Sequence, residues 1–213
     1  MELLTTGITF FQKGGIVMYV LLLCSLFVFS IGIERAMYFR RMDSGRAFAR
    51  DFYLALANNK WQKAEQLADH ARGALADILF AVITKKPEAR KNPSAYMEIQ
   101  SGIALAKMRK RLYYLSVIVT MAPLLGLLGT ISGMITSFSV FNLESGQATA
   151  ITGGVGEALI ATAMGLCVAI ISLTVHAYFS QRIENVVTDM EQCFSMVETA
   201  AAERDSMNKE EAA

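Results

Sequence analysis

The chain has 213 residues, of which 54% are hydrophobic and 18% charged, with a formal net charge of +1. A soluble helical fold of that length carries charges along the outer face of each helix. Here the apolar residues are bunched into three uncharged or nearly uncharged runs, which excludes an ordinary soluble core and points to an all-α, polytopic membrane protein.

Residues 1–15 hold one basic residue, Lys13, and read as an outward, periplasmic N-terminus with room for an interfacial helix. Ile16 to Ile33 is eighteen residues without a charge, close to the ~20 that cross a bilayer core of about 30 Å. A cleaved signal peptide places its basic residues before the apolar run. Here Arg35, Arg40 and Arg41 follow it, so 16–33 is expected to be a retained first transmembrane helix.

Residues 34–112 form a cytoplasmic helical domain in this reading. Ser44 to Ala57 and Lys60 to Ala71 carry apolar residues at helical spacing, with a break at Asn58-Asn59. A short helix is expected at Ala74 to Thr84. Lys86 to Pro93 is turn-like, and helix restarts near Pro93, where proline suits a first turn. From Tyr96 the pattern has no interruption before Pro123, which predicts one helix running from cytoplasm into membrane. Lys107, Arg109, Lys110 and Arg111 mark the interface. As a contact for anionic lipid headgroups, that cluster needs no nucleic acid, and none is expected as a partner.

Leu112 to Phe141 is thirty residues without a charge, and Gly153 to Phe179 has only Glu157 and His176 as ionisable acid or base. Transmembrane helices are expected at 113–141 and 153–179, joined by a periplasmic loop at 142–152. The 34–112 region holds sixteen of the twenty Lys and Arg residues. Basic flanks stay in the cytoplasm, so the N-terminus and the short loop face outward and the C-terminus inward. Residues 180–213 read as a charged cytoplasmic C-terminal helix and tail.

Both later spans carry stripes of small and hydroxyl-bearing residues. Ser116, Thr120, Pro123, Leu127, Thr130, Gly133 and Ser137 fall near one face of the second. Ala158, Thr162, Gly165, Ala169, Ser172 and His176 do so on the third. Close packing of helices in lipid uses small residues and interhelical hydrogen bonds, and the glycines and alanines fit that role. The recurring hydroxyls also suit the wall of a narrow polar pathway, and the pattern leaves both readings open. Glu157 stands either at headgroup level or buried with a raised pKa. His176 is either a satisfied interfacial histidine or a proton stop. No aspartate lies in any span, so a proton pathway would need its titrating group from elsewhere.

Cys24, Cys167 and Cys193 have no metal-ligand spacing, and neither a metal nor a cofactor is expected. An intramembrane enzyme would need a nucleophile–base pair or a metal cluster. The only histidines are His70 and His176, without a carboxylate pair in the spans, and the chain is read as no enzyme. A purely structural scaffold is the remaining alternative.

The segment Ala122-Pro123-Leu124-Leu125-Gly126-Leu127-Leu128-Gly129-Thr130-Ile131-Ser132-Gly133-Met134 resembles the second-span signature of the MotA/TolQ/ExbB proton-channel family. Gly156-Glu157-Ala158-Leu159-Ile160-Ala161-Thr162-Ala163-Met164-Gly165-Leu166 resembles its third-span signature. The resemblance implies a homopentamer around an ExbD/TolR-type single-span subunit that carries a membrane aspartate. In the ExbB branch that assembly energises TonB for outer-membrane transport, and in the TolQ branch it acts with TolA in envelope integrity. It implies a proton pathway lined by Thr130, Thr162 and Glu157, to which the reading of the spans adds Ser137 and His176, with helix packing through Gly126, Gly133, Ala158, Gly165 and Ala169. The chain has Ile171-Ser172 where many members have proline, which predicts a straighter third helix. Three spans disfavour the four-span flagellar branch.

Overall fold

A computed structural model of the chain describes residues 15–139 and 148–211. Most of the expected N-terminal segment and 142–152 loop, and the side chain of Glu157, lie outside the described residues. Every regular element described is helical: α1 (Gly15–Met42), α2 (Arg46–Ala57), α3 (Trp61–His70), α4 (Ala74–Ile83), α5 (Pro87–Arg90), α6 (Pro93–Arg109), α7 (Leu112–Ser139) and α8 (Ala148–Glu211). Three helical stretches are long and apolar enough to cross a membrane, and no more than 33% of any of their most apolar windows is buried. Their outward faces expose Leu23, Phe29, Ile33, Leu124, Ile135, Phe138, Leu159 and Ile170. Such a surface is apolar all round and needs lipid or other subunits to cover it.

The chain divides into two compact units, residues 1–34 with 111–178 and residues 35–110 with 179–213. In the first, α7 packs on the neighbouring part of α8 through a line of small residues, and α1 joins them. Phe27 and Tyr114 meet edge to face at 6.2 Å between centroids. Glu34 and Arg111 pair at 3.0 Å. Pro123 lies inside α7. It is tolerated there as proline is in membrane helices generally, where neighbouring groups take up the freed backbone.

The second unit is a conventional core of amphipathic helices. Phe52, Leu56, Leu79, Met97, Met108, Ile183 and Met190 are all fully buried within it. The helix starts have local causes. Asp43 Oδ1 accepts from the Gly45 amide at 2.9 Å, and Gly45 takes a φ of +83°, so α2 begins two residues later than its sequence pattern suggests. Asn59, with a φ of +55°, breaks the chain where the Asn58-Asn59 pair predicts it. Ser44 Oγ accepts from the Ala76 amide at 3.2 Å, capping α4 from outside that helix. Asn92 Oδ1 caps α6 by accepting from the Ala95 amide at 3.1 Å, with Pro93 in the first turn. Within the stretch read as turn-like, Pro87–Arg90 forms one helical turn.

One helix boundary departs from the sequence reading. The expected run from Tyr96 towards Pro123 is interrupted at Lys110-Arg111, between α6 and α7. Arg35 is 4% exposed, and its Nη1 donates to the carbonyls of Lys107 at 3.1 Å and Met108 at 3.2 Å. A guanidinium thus takes the carbonyls that end α6, where a cation is favoured by the helix dipole. A side chain 72 residues away in sequence thus meets the helix at this two-residue turn, across which one helical stretch still runs from Pro93 to Ser139.

Candidate functional site

The sequence singles out the facing stripes of α7 and α8, and the structure brings those stripes together. Gly126 and Gly165 make the closest approach. A Cβ on Gly126 would stand 2.9 Å from the Ala161 carbonyl oxygen and 2.9 Å from Thr162 Cα. One on Gly165 would stand 2.5 Å from the Ala122 carbonyl oxygen and 3.1 Å from Gly126 Cα. Backbone meets backbone at both places, so no larger residue fits without moving a helix. Further along, a Cβ on Gly133 would lie 2.9 Å from that of Ala158. Ala158 and Ala169 are buried.

Close approach brings hydroxyls within reach of the opposite backbone. Thr162 Oγ1 donates to the Gly126 carbonyl at 3.1 Å. About three turns further along α8, Ser172 Oγ donates to the Leu115 carbonyl at 3.0 Å and is fully buried. Two hydroxyls of α8 are thereby anchored on α7. Thr130 and Ser137 use their own helix instead. Thr130 Oγ1 donates to the Leu127 carbonyl at 2.7 Å, and Ser137 Oγ donates to the Gly133 carbonyl at 2.8 Å. Thr130 is buried and Ser137 half-buried.

The chemistry of this face follows from counting donors. A hydroxyl has one proton to give and two lone pairs to receive with. In Thr130, Ser137, Thr162 and Ser172 the proton is committed to a carbonyl, so what remains is acceptor capacity. Where it is reached, at Ser137 and Thr162, such a wall takes hydrogen bonds from water or from a protonated acid, and its hydroxyls neither gain nor lose a proton at neutral pH. No acid or base occurs from Leu112 to Phe141. His176 is half-buried on α8. Glu157 belongs to α8 by its backbone.

Ser172 was legible as a member of the small-residue stripe, but its clamp on Leu115 was not. The departure at Ile171-Ser172 was the available signal, since a hydroxyl stands beside the place where many family members have proline. α8 runs from Ala148 to Glu211 without interruption. Arg35 gave no signal beyond its charge. Among the described residues no group of His, Cys, Asp and Glu is placed to hold a metal.

The geometry agrees with what comparison with known proteins finds. Residues 66–192, more than half of the chain, match the MotA/TolQ/ExbB proton channel family. A putative biopolymer transport protein ExbB-like 1 of Synechocystis sp. is 36% identical over 78% of this chain and 67% of its own length. A second Synechocystis protein, ExbB-like 3, is 32% identical over 76% of this chain and 79% of its own. The Tol-Pal system protein TolQ of Pseudomonas aeruginosa is 32% identical over 45% of each chain. The family description and the two Synechocystis names are of channel and transport proteins, in keeping with a multi-pass membrane protein. By sequence match, span number and the paired signatures on α7 and α8, this chain belongs to the MotA/TolQ/ExbB proton channel family.

Proposed function

We propose that the chain is an ExbB-like proton-channel and motor subunit of a bacterial inner membrane. As a homopentamer it surrounds an ExbD-type single-span subunit whose membrane aspartate carries the proton, and the assembly uses the proton motive force to energise TonB-dependent outer-membrane transport. In this reading 16–33, 113–141 and 153–179 cross the membrane, the N-terminus and 142–152 are periplasmic, and 34–112 and 180–213 are cytoplasmic. Thr130, Thr162, Ser137, Glu157 and His176 line the proton pathway. Gly126, Gly133, Ala158, Gly165 and Ala169 hold the helices that build it.

The single observation behind this reading is the α7–α8 face, whose hydroxyl protons are tied to backbone carbonyls while the second span has no acid. It is an acceptor wall without a titrating group, and a partner's carboxyl supplies what it lacks. One charge moving across 100 mV releases ~2.3 kcal/mol, enough to bias a conformational step.

The test is reconstitution. The chain is coexpressed with a single-span, aspartate-bearing partner from the same genome, purified by a tag on one subunit, and placed in vesicles under a pH gradient. Proton flux is expected with both proteins and is expected to fall in Thr162→Val and Glu157→Ala. Failure to recover a complex, together with absent flux, refutes the function. Full flux in both variants removes those residues from the pathway. A TolQ-type role is the second reading, favoured by the Pseudomonas relative. Growth under iron limitation and detergent sensitivity of a deletion strain separate the two.

A further inference from the structure

Within the unit formed by residues 35–110 and 179–213, α6 and the later part of α8 leave an open, mainly apolar groove between them, with a cavity of about 310 Å³. Met97 and Met190, both almost fully buried, lie at its floor. Each helix supplies one wall. On α6 the wall is Ser94, Glu98, Ser101 and Leu105, and on α8 it is Val187, Glu191, Phe194 and Glu198. Both sets advance by four, three and four residues, so each helix keeps one face turned to the groove over about three turns.

The charge on this groove has one sign. Glu98, Glu191 and Glu198 are exposed, and no base among the described residues borders the cavity. None of the three carboxylates is in an ion pair among the described residues. Glu184, one heptad before Glu191, differs in pairing with Arg109 at 3.6 Å. Three unpaired carboxylates around an apolar floor repel one another, and the complement is a surface whose cations are separated by apolar side chains.

Lipid does not cover the groove. The apolar run of α8 ends at Phe179, and Val187 stands eight residues beyond it. That is ~12 Å along the helix, past a headgroup layer of about 5–8 Å, and an anionic leaflet repels an acidic rim. A second copy of the chain does not supply the complement either. Arg46 and Arg50 recur one turn apart on α2, but Asn185 and Asp51 of their own chain hold them.

We propose that the groove seats a cationic, amphipathic helix from the cytoplasmic end of the single-span partner, with its bases against Glu98, Glu191 and Glu198 and its apolar side chains over Met97 and Met190. The inference rests on the partner subunit named under the proposed function and says where the cytoplasmic end of that subunit is held. A single-span chain has one end on the side of the membrane to which that reading assigns the groove. A helix lying between two others is anchored at every third or fourth position, and about twelve residues cover the length from Val187 to Glu198. Complementary charge along the rim fixes register and selects the partner.

The experiment uses the full chain coexpressed with the single-span partner in native membranes, with Cys24 and Cys167 replaced by alanine and the fully buried Cys193 left in place. Ser101→Cys is combined with single cysteines walked along the partner's cytoplasmic end and treated with a short bis-maleimide. Cross-links between the two proteins are expected at every third or fourth partner position. None is expected from Gly102→Cys, which points ~100° away around α6. Glu98→Lys, Glu191→Lys and Glu198→Lys together are expected to abolish the cross-link, and reversal of the partner's bases to glutamate to restore it. A complex recovered by its tag that gives no cross-link from Ser101→Cys overturns this seat and leaves the proposed function standing. Failure to recover a complex overturns both. Cross-linking of Ser101→Cys to a second copy of this chain, or a partner without bases at that spacing, overturns the choice of occupant.

Discussion

Replacing Gly165 by alanine tests whether the α7–α8 contact is set by backbone proximity. The new Cβ would meet the Ala122 carbonyl oxygen at 2.5 Å, Gly126 Cα at 3.1 Å and Gly126 N at 3.2 Å. All three are backbone atoms of α7, so no side chain can swing aside. Ordinary contact begins at 3.4 Å, which forces the helices apart by about 0.9 Å, a gap that forfeits between a quarter and a half of the local dispersion energy. Overpacking of this kind costs about 1–3 kcal/mol. The same movement stretches the Thr162–Gly126 bond from 3.1 Å to about 4 Å, losing roughly 0.6 kcal/mol more. Alanine's helix preference over glycine returns ~1 kcal/mol, leaving a net loss of about 0.6–2.6 kcal/mol. Gly102→Ala is the control, because its Cβ meets nothing within 4 Å and should stabilise the protein by about 0.5–1 kcal/mol. Unfolding by dodecyl sulfate in mixed micelles, followed by far-ultraviolet circular dichroism, measures both. A Gly165→Ala protein as stable as Gly102→Ala would refute the close-approach argument.

Three further outcomes follow from other parts of the molecule. Arg35→Met removes both donors to the end of α6 and is expected to cost about 3 kcal/mol, two charge-assisted bonds at about 1.5 each; Arg35→Lys recovers part of it through the helix dipole, and the same unfolding titration reads both. Burial, with the nearby Asp189 carboxylate adding to it, pushes the Cys193 thiol up to about 12, so maleimide should leave it unlabelled at pH 8 until the protein is unfolded. The unfolded thiol ionises from about pH 9, and the stability this group contributes is lost as pH rises from there through about 12. Asp189 is raised above the usual carboxylate range, mainly by burial and further by Asp43, while Arg46 opposes the shift. Its charged form weighs against folding at neutral pH, so Asp189→Asn should be more stable than the parent at pH 7. The gain should vanish as the pH falls below 3.8, and thermal unfolding at both pH values measures it.

The three long apolar runs could be read from the sequence because membrane helices announce themselves by composition over many consecutive residues. The breaks at Asn58-Asn59 and the start at Pro93 were legible for a local reason, since each depends on the residue at the break. The interruption between α6 and α7 was not. Residues 107–112 hold nothing that marks a turn, and the contact found there, Arg35 on the Lys107 and Met108 carbonyls, comes from the tertiary fold. The late start of α2 at Arg46 likewise depends on Gly45 and its Asp43 partner. On the candidate site, the pattern of small residues located the faces of α7 and α8. It could not tell which hydroxyls cross between helices and which fold back on their own, because both threonines look alike in a stripe. Thr162 crosses to Gly126, while Thr130 returns to Leu127.

That difference bears on how a family of proton channels keeps its subunits from leaking. A carboxylate resident in the membrane costs ~2.5–3.5 kcal/mol or more unless it finds a cavity or a partner, and it would offer a proton site whether or not the complex is assembled. The second span instead carries hydroxyls whose protons are held by carbonyls, cheap to bury because each is satisfied. Under the proposed function a subunit built this way waits for its partner, because the second span has no acid or base of its own. Under the proposed function, conduction begins only when an outside carboxyl reaches the wall and finds acceptors already oriented. The interhelical bonds of Thr162 and Ser172 then act before any proton moves, by fixing where those acceptors stand.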